Sequence, residues 1–204
     1  MANVKKLQEL DQRLERTESQ LQVLQKISRL MARKLSLPQV LQAIVELVMG
    51  VTEADACLIY LHEGDTLVLG ASNTPHPAQI GKLRLKMGEG ITGWVAKERR
   101  MVAIGQQAYK DPRFRFFHDL PEDSFEAFLS VPVISREEVV GVINVQHRHP
   151  RRHMGGEMEM LMTVGEQVGC IIVLARIGEL ADSLLSPVET LLASPPLPPG
   201  RKLG

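Results

Sequence analysis

The sequence predicts an α+β fold in which an antiparallel or mixed sheet is flanked by terminal helices and preceded by an N-terminal coiled coil. Three observations predict it. Short apolar segments occur in pairs in the middle of the chain, and each pair is separated only by a turn. Helical periodicity dominates the two ends. Leucines recur at alternating spacings of three and four residues between Leu7 and Leu24. A doubly wound parallel sheet would need a helix between successive strands, so we exclude it.

Composition narrows the class of protein. The chain has 204 residues, of which 44% are hydrophobic, enough to fill one core. Lys and Arg total 24 and so do Asp and Glu, a balance that argues against a nucleic-acid or anionic-membrane partner. We find no apolar run of the ~18 residues that a membrane span needs. Cys57 and Cys170 lie in apolar segments and are interpreted as reduced thiols of a cytoplasmic protein.

The N-terminal helix carries the coiled-coil pattern. With Leu7 at position a, seven of the nine a and d sites to Leu35 are apolar. Position g of one helix pairs with the following e of its partner in compatible couples, such as Lys6 with Asp11, which favours a parallel homodimer through Leu7–Leu24. Beyond Ile27 the apolar pattern widens, so we expect the helix to join the globular core there. An amphipathic helix packed on its own domain is the alternative.

The elements that follow are read in order along the chain. Ser36 is a candidate N-cap with Pro38 in the first turn of a helix that reaches about Val51. The sequence then predicts a hairpin, a strand, a short helix, a strand, a long connection with aromatic residues, a second hairpin and a long helix. In that order their ranges are Ala56–His62 with Thr66–Ala71, Lys82–Met87, Ile91–Lys97, Met101–Ile104, 105–126, Leu129–Ile134 with Val139–Val145, and Met154 to about Leu180.

The C-terminal segment is interpreted separately. Ser186-Pro187-Val188-Glu189 fits a capping box that would start a short helix reaching about Ala193. Residues 194–204 contain four prolines and are expected to be disordered or polyproline-like. The predicted organisation is therefore a coiled-coil helix over 1–30, a globular domain over 31–180, and a short helix with a disordered tail over 181–204.

Four motifs resemble those of one family. They are Gly88-Glu89-Gly90-Ile91-Thr92-Gly93-Trp94-Val95-Ala96, Asp111-Pro112-Arg113-Phe114, Ser130-Val131-Pro132-Val133 and Val140-Gly141-Val142-Ile143-Asn144-Val145. Together and in this order they resemble GAF domains, which are PAS-related, over roughly residues 20 to 180. The resemblance is strongest to bacterial signalling types, including the GAF domain that heads the nitrogen-branch phosphotransferase enzyme I. It implies a sheet forming the floor of a cup, with the short helix and the long connection as its lid.

The three glycines Gly88, Gly90 and Gly93 also fit a dinucleotide fingerprint. The predicted helix after them lasts only about seven residues before the next strand, whereas a Rossmann crossover needs more chain. We therefore expect these glycines to allow a tight turn and a close approach of the short helix to the sheet.

The resemblance implies that a ligand pocket lies between the short helix and the connection. Its candidate wall is aromatic: Trp94, Tyr109, Phe114, Phe116, Phe117 and Phe125, six of the eight aromatic residues in the chain. Clustered aromatic side chains are typical of an apolar pocket wall, but they would serve equally to anchor a long loop on the sheet. Ser130 and Asn144 are polar residues in apolar strands, and they either hold a ligand or make structural hydrogen bonds.

A second group of residues was weighed as a metal site. His147, His149 and His153 lie in one turn, and a His-x-His pair on a strand puts both rings on one face. Three arginines adjoin them, and no carboxylate or cysteine was recognised nearby. We therefore interpret this segment as a solvated basic loop and predict no metal site; contact with phosphate or an acidic partner is the other reading.

Catalysis is not expected. Some GAF-like proteins resemble reductases of free methionine sulfoxide that use cysteines around the pocket, but neither Cys57 nor Cys170 has an electropositive, accessible setting. The connection lacks the cysteine that bilin attachment would need, and the cyclic-nucleotide signature is missing. Haem binding through His118 rests on one loop histidine. No cofactor is assigned.

The sequence thus predicts a non-catalytic signalling module that binds a small molecule in its cup and dimerises through its N-terminal coil. Since no kinase, cyclase or nucleic-acid-binding segment was recognised after residue 180, we expect output through another protein or through the coil. Two alternatives stay open: a ligand-free interaction scaffold and a thiol-dependent methionine sulfoxide reductase.

Overall fold

The computed structural model describes residues 2–74, 77–115 and 125–192, and its centre is one antiparallel sheet of six strands. The strand order is β3-β2-β1-β6-β5-β4. The strands are β1 Ala56–Glu63, β2 Thr66–Ser72, β3 Arg84–Lys86, β4 Val102–Ile104, β5 Ala127–Ser135 and β6 Glu138–His147. The helices are α1 Ala2–Met31, α2 Leu37–Thr52, α3 Gly90–Glu98 and α4 Gly155–Leu192. The predicted α+β class and its antiparallel core are confirmed.

Both predicted hairpins are present. β1 pairs with β2 from Leu58 opposite Ser72 to Glu63 opposite Thr66. β5 pairs with β6 from Ala127 opposite His147 to the turn after Ser135. The two hairpins join through antiparallel pairing of β1 with β6, so β6 and β1 form the middle of the sheet. Alternation of side chains along these strands then divides the core between two faces.

One face of the sheet is covered by α1, α2 and α4. Its buried set includes Ile59 of β1, Val131 of β5 and Ile143 of β6, packed against Ile44 of α2 and Leu161 of α4. The opposite face carries α3 and the connection between β4 and β5. We call this second side the cup face; it includes Leu58, Tyr60, Val95, Phe128 and Val142.

Helix α1 divides its apolar residues between two directions. Val23, Ile27 and Leu30 are buried on the domain, so the helix joins the core one turn earlier than the sequence predicted. The a and d leucines face away and are 41 to 60% exposed: Leu7, Leu10, Leu14, Leu21 and Leu24. An apolar seam of this kind is what a second helix would cover. The coiled coil itself stays a prediction, because the structure contains one chain.

The start of α2 follows the sequence prediction. Ser36 is the N-cap and its backbone N–H donates to Gln39 Oε1 over 3.0 Å, the returning half of a capping box. The Leu37 backbone N–H donates to Glu179 Oε1 over 2.8 Å. The first turn of α2 is therefore tied to the distant end of α4.

Helix α4 differs from its prediction at the C-terminal end. We expected the helix to end near Leu180 and a new one to begin at Pro187, whereas α4 continues to Leu192. The backbone stays helical through Pro187, although a proline in a helix interior removes one N–H from the ladder and its ring crowds the carbonyl four residues earlier. Residues Gly155–Leu184 are long and apolar enough to cross a membrane, contrary to our reading of the apolar runs. The core helix of a globular domain meets the same test, and 44% of the most apolar window is buried here.

The glycine motif acts as the sequence predicted. Gly88 and Gly90 have φ angles of 83° and 68°, which side-chain-bearing residues rarely adopt. A Cβ atom on Gly93 would lie 2.5 Å from the carbonyl oxygen of Lys86. The glycines therefore turn the chain sharply and seat α3 directly on the end of β3, which fixes one wall of the cup.

Candidate functional site

The cup lies between α3 and the connection that leads from β4 to β5. The connection is closed at its base: the Ala108 N–H donates to the Glu126 carbonyl over 2.9 Å, and the Gln107 N–H donates to the Glu126 carboxylate over 2.8 Å. The chain between these points forms a loop whose ends touch, an arrangement common in binding loops. Phe116, Phe117 and His118 lie outside the described residues.

An arginine and an aspartate of this loop dominate the wall near α3. The Arg113 guanidinium carbon lies 4.6 Å from the centre of the Trp94 ring, a cation–π contact. Asp111 holds that guanidinium with two hydrogen bonds, from Nε over 2.9 Å and from Nη2 over 2.8 Å. Asp111 also accepts from the Arg113 backbone N–H over 2.9 Å.

Hydrogen bonding within this pair governs its ionisation. The hydrogen bond from the Arg113 side chain is the main reason that the pKa of Asp111 is lowered, and burial opposes it. The same bond raises the pKa of Arg113. Both groups therefore stay charged at neutral pH, and Arg113 is held over the indole of Trp94.

The other aromatic candidates fall into different positions. Phe125 is buried, and Phe114 is half-buried against the same apolar cluster as Trp94. Tyr109 lies on a short 3₁₀ helix, Ala108–Lys110, and is 37% exposed. Trp94, Phe114 and Phe125 are thus brought to one wall of the cup, whereas Tyr109 faces outward.

The two polar candidates meet beneath α3. The Ser130 hydroxyl donates to Asn144 Oδ1 over 2.7 Å, and Asn144 Nδ2 donates to Thr92 Oγ1 over 2.7 Å. All three side chains are buried. This chain of hydrogen bonds, which we call the polar triad, links β5, β6 and α3 across the floor of the cup.

Charged residues form the rim where the loop crosses the start of α3. Arg115 makes an ion pair with Glu89, the N-cap residue of α3. The Glu89 carboxylate also accepts from the Lys86 backbone N–H over 2.7 Å. Gly90 lies under this crossing, since a Cβ atom there would come within 3.5 Å of the Arg115 side chain.

Sequence reasoning did not list three residues that build this site. The sequence places Asp111 and Arg113 in a family motif and Thr92 in the glycine motif, without assigning any of them to the site. The spacing of Asp111 and Arg113, an acid two residues before a base, is a local signal for a side-chain pair. Nothing local indicates that Arg113 meets Trp94 or that Thr92 meets Asn144, because those contacts are made by tertiary packing.

Neither cysteine lies in the cup. Cys57 of β1 points into the core beneath α1, α2 and α4, and burial raises its pKa to about 12. Cys170 is exposed on α4, where its sulfur lies 3.7 Å from the Ser135 hydroxyl. A nucleophilic thiolate needs an accessible, electropositive setting. The cup wall formed by the described residues therefore has no such group.

The histidine segment is not the solvated loop that the sequence suggested. His147 is 4% exposed and the side chain of His153 is 3% exposed, whereas His149 faces solvent. A carboxylate is also present, because the side chain of Glu157 lies 3.4 Å from His153 Nδ1. The first turn of α4 brings Glu157 back over the segment, one helical turn after His153.

Two cavities lie on the helical side of the sheet. One of about 440 Å³ lies where the end of α1, the start of α2 and the outer part of α4 meet, lined by Leu30, Ser36, Ile171 and Glu179 among others. Another of about 350 Å³ separates α1 from α2 beside Leu47. The helical layer is thus less tightly closed than the sheet core.

Comparison with known proteins identifies relatives. The model of a family described as "GAF domain" matches residues 36–172. A phosphoenolpyruvate-dependent phosphotransferase system protein of Escherichia coli is 26% identical over 122 residues, which cover 59% of this chain and 16% of that protein. The chain therefore spans about a sixth of that relative's length. The GAF domain of a phosphoenolpyruvate-protein phosphotransferase from Coxiella burnetii is 25% identical and covers 80% of this chain and 98% of its own, with a TM-score of 0.73.

Two further solved structures are informative. The GAF domain of an Acinetobacter phosphoenolpyruvate-protein phosphotransferase is 29% identical, covers 78% of this chain and 95% of its own, and has a TM-score of 0.69. A free methionine-R-sulfoxide reductase from Neisseria meningitidis, solved with its substrate, is 15% identical with a TM-score of 0.61, and the alignment covers 76% of this chain and 89% of the reductase. At that identity the likeness concerns the fold alone.

Proposed function

This chain belongs to the GAF domain family, and from that premise we propose that it is a non-catalytic regulatory module. In the proposal, a small molecule held in the cup shifts the arrangement of α1 and α4 in a homodimer, and the shift is passed to a protein partner. GAF domains are typically ligand-binding domains of signalling proteins. The particular ligand, the dimer and the partner are the parts that we propose.

One observation carries the proposal: β5 and β6 form the floor of the cup with one face and pack against the helical layer with the other. Ser130 and Asn144 belong to the polar triad under α3, and their strand neighbours Val131 and Ile143 pack with Leu161 of α4. A ligand that displaced α3 would move the triad and thereby the strands on which α4 rests. A packed core transmits such a shift because it has little room to absorb it.

The cup itself supports binding through its composition. Trp94, Phe114 and Phe125 supply apolar surface in the wall. The Asp111–Arg113 pair in the wall and the ion pair at Glu89 in the rim supply fixed polar groups. Apolar walls with a few placed polar groups are typical of small-molecule sites. Asp111 occupies the Nε–Nη2 edge of Arg113, so an anionic ligand that took that edge would displace Asp111 as it binds.

The exposed seam of α1 supports dimerisation. Five leucines at a and d positions are 41 to 60% exposed, and burying them in water-free contact is worth about 25 cal/mol per Å². A second copy presents the same seam, which satisfies the self-complementarity that a two-fold dimer needs.

A ligand-free interaction scaffold is the second candidate function, and a specific observation favours it. The polar triad satisfies its own hydrogen bonds, and Phe114 and Phe125 pack on the apolar cluster beneath the loop. A methionine sulfoxide reductase has weaker support, because Cys57 points to the helical side of the sheet and Cys170 lies outside on α4.

Native mass spectrometry of the full chain separates these functions. A dimer that carries a small molecule supports the proposed sensor, and a dimer without added mass favours the scaffold. The matched pair of variants is Leu14→Asp, on the seam, and Gln12→Asp, on an exposed position outside it. We expect Leu14→Asp to give monomers and Gln12→Asp to stay dimeric. A monomeric wild-type chain would contradict the proposal that the ligand signals by shifting α1 and α4 in a homodimer.

A further inference from the structure

Two histidines and a glutamate lie close together at the junction between the end of β6 and the start of α4. His147 is the last residue of β6, His153 lies in the segment that follows, and Glu157 is in the first turn of α4. Their candidate ligand atoms all lie within 4.8 Å of one another. The two imidazole rings have centroids 5.7 Å apart and are tilted by 51°. We call these three residues the His-Glu cluster.

The cluster is buried and its hydrogen bonding is incomplete. His147 is 4% exposed, and the side chains of His153 and Glu157 are 3% and 11% exposed. Four of their atoms lack a hydrogen-bond partner among the described residues: His147 Nε2, both ring nitrogens of His153, and Glu157 Oε1. Buried polar atoms in folded proteins are normally hydrogen-bonded, so four unpaired atoms in one place call for a ligand that supplies their bonds.

The donor atoms suit a transition metal. Two imidazole nitrogens and a carboxylate are a set that binds zinc with a fourth position left for water. Metal binding requires each imidazole in its neutral form, with the lone pair of one ring nitrogen directed at the ion.

The spacing fits after a small contraction. Tetrahedral zinc with bonds of about 2.0–2.1 Å holds its ligand atoms about 3.3 Å apart. His153 Nδ1 and Glu157 Oε2 are already 3.4 Å apart. Rotation of the His147 ring and of the Glu157 carboxylate would close the remaining separation.

One cation competes for the carboxylate. Arg151 Nη2 lies 3.4 Å from Glu157 Oε1, although without the geometry of a hydrogen bond. Its other terminal nitrogen, Nη1, lies 3.8 Å from Glu53 Oε2 at the end of α2. Arg151 therefore has an exposed second partner to which it can move when Glu157 turns toward a metal.

We propose that His147, His153 and Glu157 form a binding site for a divalent transition metal, with zinc the ion that the donor set fits best. The site joins the end of β6 to the first turn of α4. An ion there fixes the point at which α4 leaves the sheet, and it is separate from the cup, which lies between α3 and the connection. The proposal is independent of any ligand in the cup.

The test titrates the full chain, without a histidine tag and stripped with a chelator, with Co²⁺ and Zn²⁺. We expect one Co²⁺ per chain with the intense visible absorption of four-coordinate cobalt, displaced by Zn²⁺ at one equivalent. At Zn²⁺ a hundredfold above the dissociation constant, the thermal midpoint should rise by about 5–10 °C. Circular dichroism first establishes that each variant is folded.

Variants locate the site. His153→Ala and the isosteric Glu157→Gln should each weaken Zn²⁺ binding at least tenfold and abolish the cobalt absorption, whereas His149→Ala, the exposed neighbour, should leave both unchanged. Arg151→Gln should tighten binding, because it removes the competing cation. The proposal is overturned if cobalt stays six-coordinate, if His149→Ala weakens binding as much as His153→Ala, or if the folded Glu157→Gln variant binds as tightly as the wild type.

Discussion

The polar triad gives the sharpest prediction about the cup. Asn144→Ala removes both the acceptor for the Ser130 hydroxyl and the donor to Thr92, and these two partners are 0% and 6% exposed. Each buried group left without a partner costs about 1–3 kcal/mol. Two such groups lower the free energy of unfolding by about 2–6 kcal/mol, which corresponds to a fall of roughly 4–24 °C in Tm for a chain of this size.

Urea unfolding at fixed protein concentration measures this change, with circular dichroism as the signal. Gln146→Ala is the matched control: it lies two residues further along β6, and no described residue makes a hydrogen bond to its side chain. We expect the control to change stability by less than about 0.5 kcal/mol, as surface substitutions usually do.

A double-mutant cycle separates the triad from simple loss of volume. If Ser130 and Asn144 interact as described, the variant carrying both Ser130→Ala and Asn144→Ala should cost about 1 kcal/mol less than the sum of the single changes. Additive costs, or an Asn144→Ala cost no larger than that of Gln146→Ala, would refute the account of the cup floor.

Other predictions address the helical layer, the rim and the thiols. Gly169→Ala should destabilise by about 1–3 kcal/mol because its Cβ would collide with a β5 carbonyl, whereas Gly178→Ala in the same helix meets nothing and should stabilise by about 0.5–1 kcal/mol; comparable urea midpoints for the two would contradict this. Asp111 has a lowered pKa, so its ion pair with Arg113 contributes fully at a pH above the ordinary aspartate pKa of about 3.9. The contribution is lost as the pH falls through the lowered pKa of Asp111. Fluorescence of the single tryptophan should record that acid transition, and Asp111→Asn should lack it. At pH 8 a thiol reagent should modify Cys170 alone in the folded chain, since the Cys57 pKa is raised to about 12; equal reaction of both would show that β1 opens.

The order and type of elements were predictable from the sequence because the signals are local. The hairpin at Gly64 and the second one after Ser135 follow from alternation broken by turn residues, and both are present with nearly the predicted ends. The glycines before α3 were predicted as steric necessities, and Gly93 has no room for a side chain. The prediction of a new helix at Pro187 was wrong because Ser186-Pro187 is a local helix-start signal, whereas the backbone of α4 is continuous through it.

The candidate site was only partly predictable. Trp94, Phe114 and Phe125 share the cup as expected from their concentration in the sequence, while Tyr109 is exposed. The pairing of Arg113 with Trp94 brings together residues on separate elements, and no spacing rule reports it.

What the sequence determined by itself is the class of fold, the family, the buried faces and the apolar seam of α1. The family follows from the resemblance of its motifs, and the other three follow from periodicity, turn chemistry and steric limits, which act over a few residues. Only the tertiary structure decided that Asn144 bridges Ser130 and Thr92, that Cys57 faces away from the cup, and that Glu157 closes over two buried histidines. The reason is physical: whether a polar side chain is solvated, paired or poised for a ligand depends on which distant segments exclude water around it, and this is set by packing across the sheet.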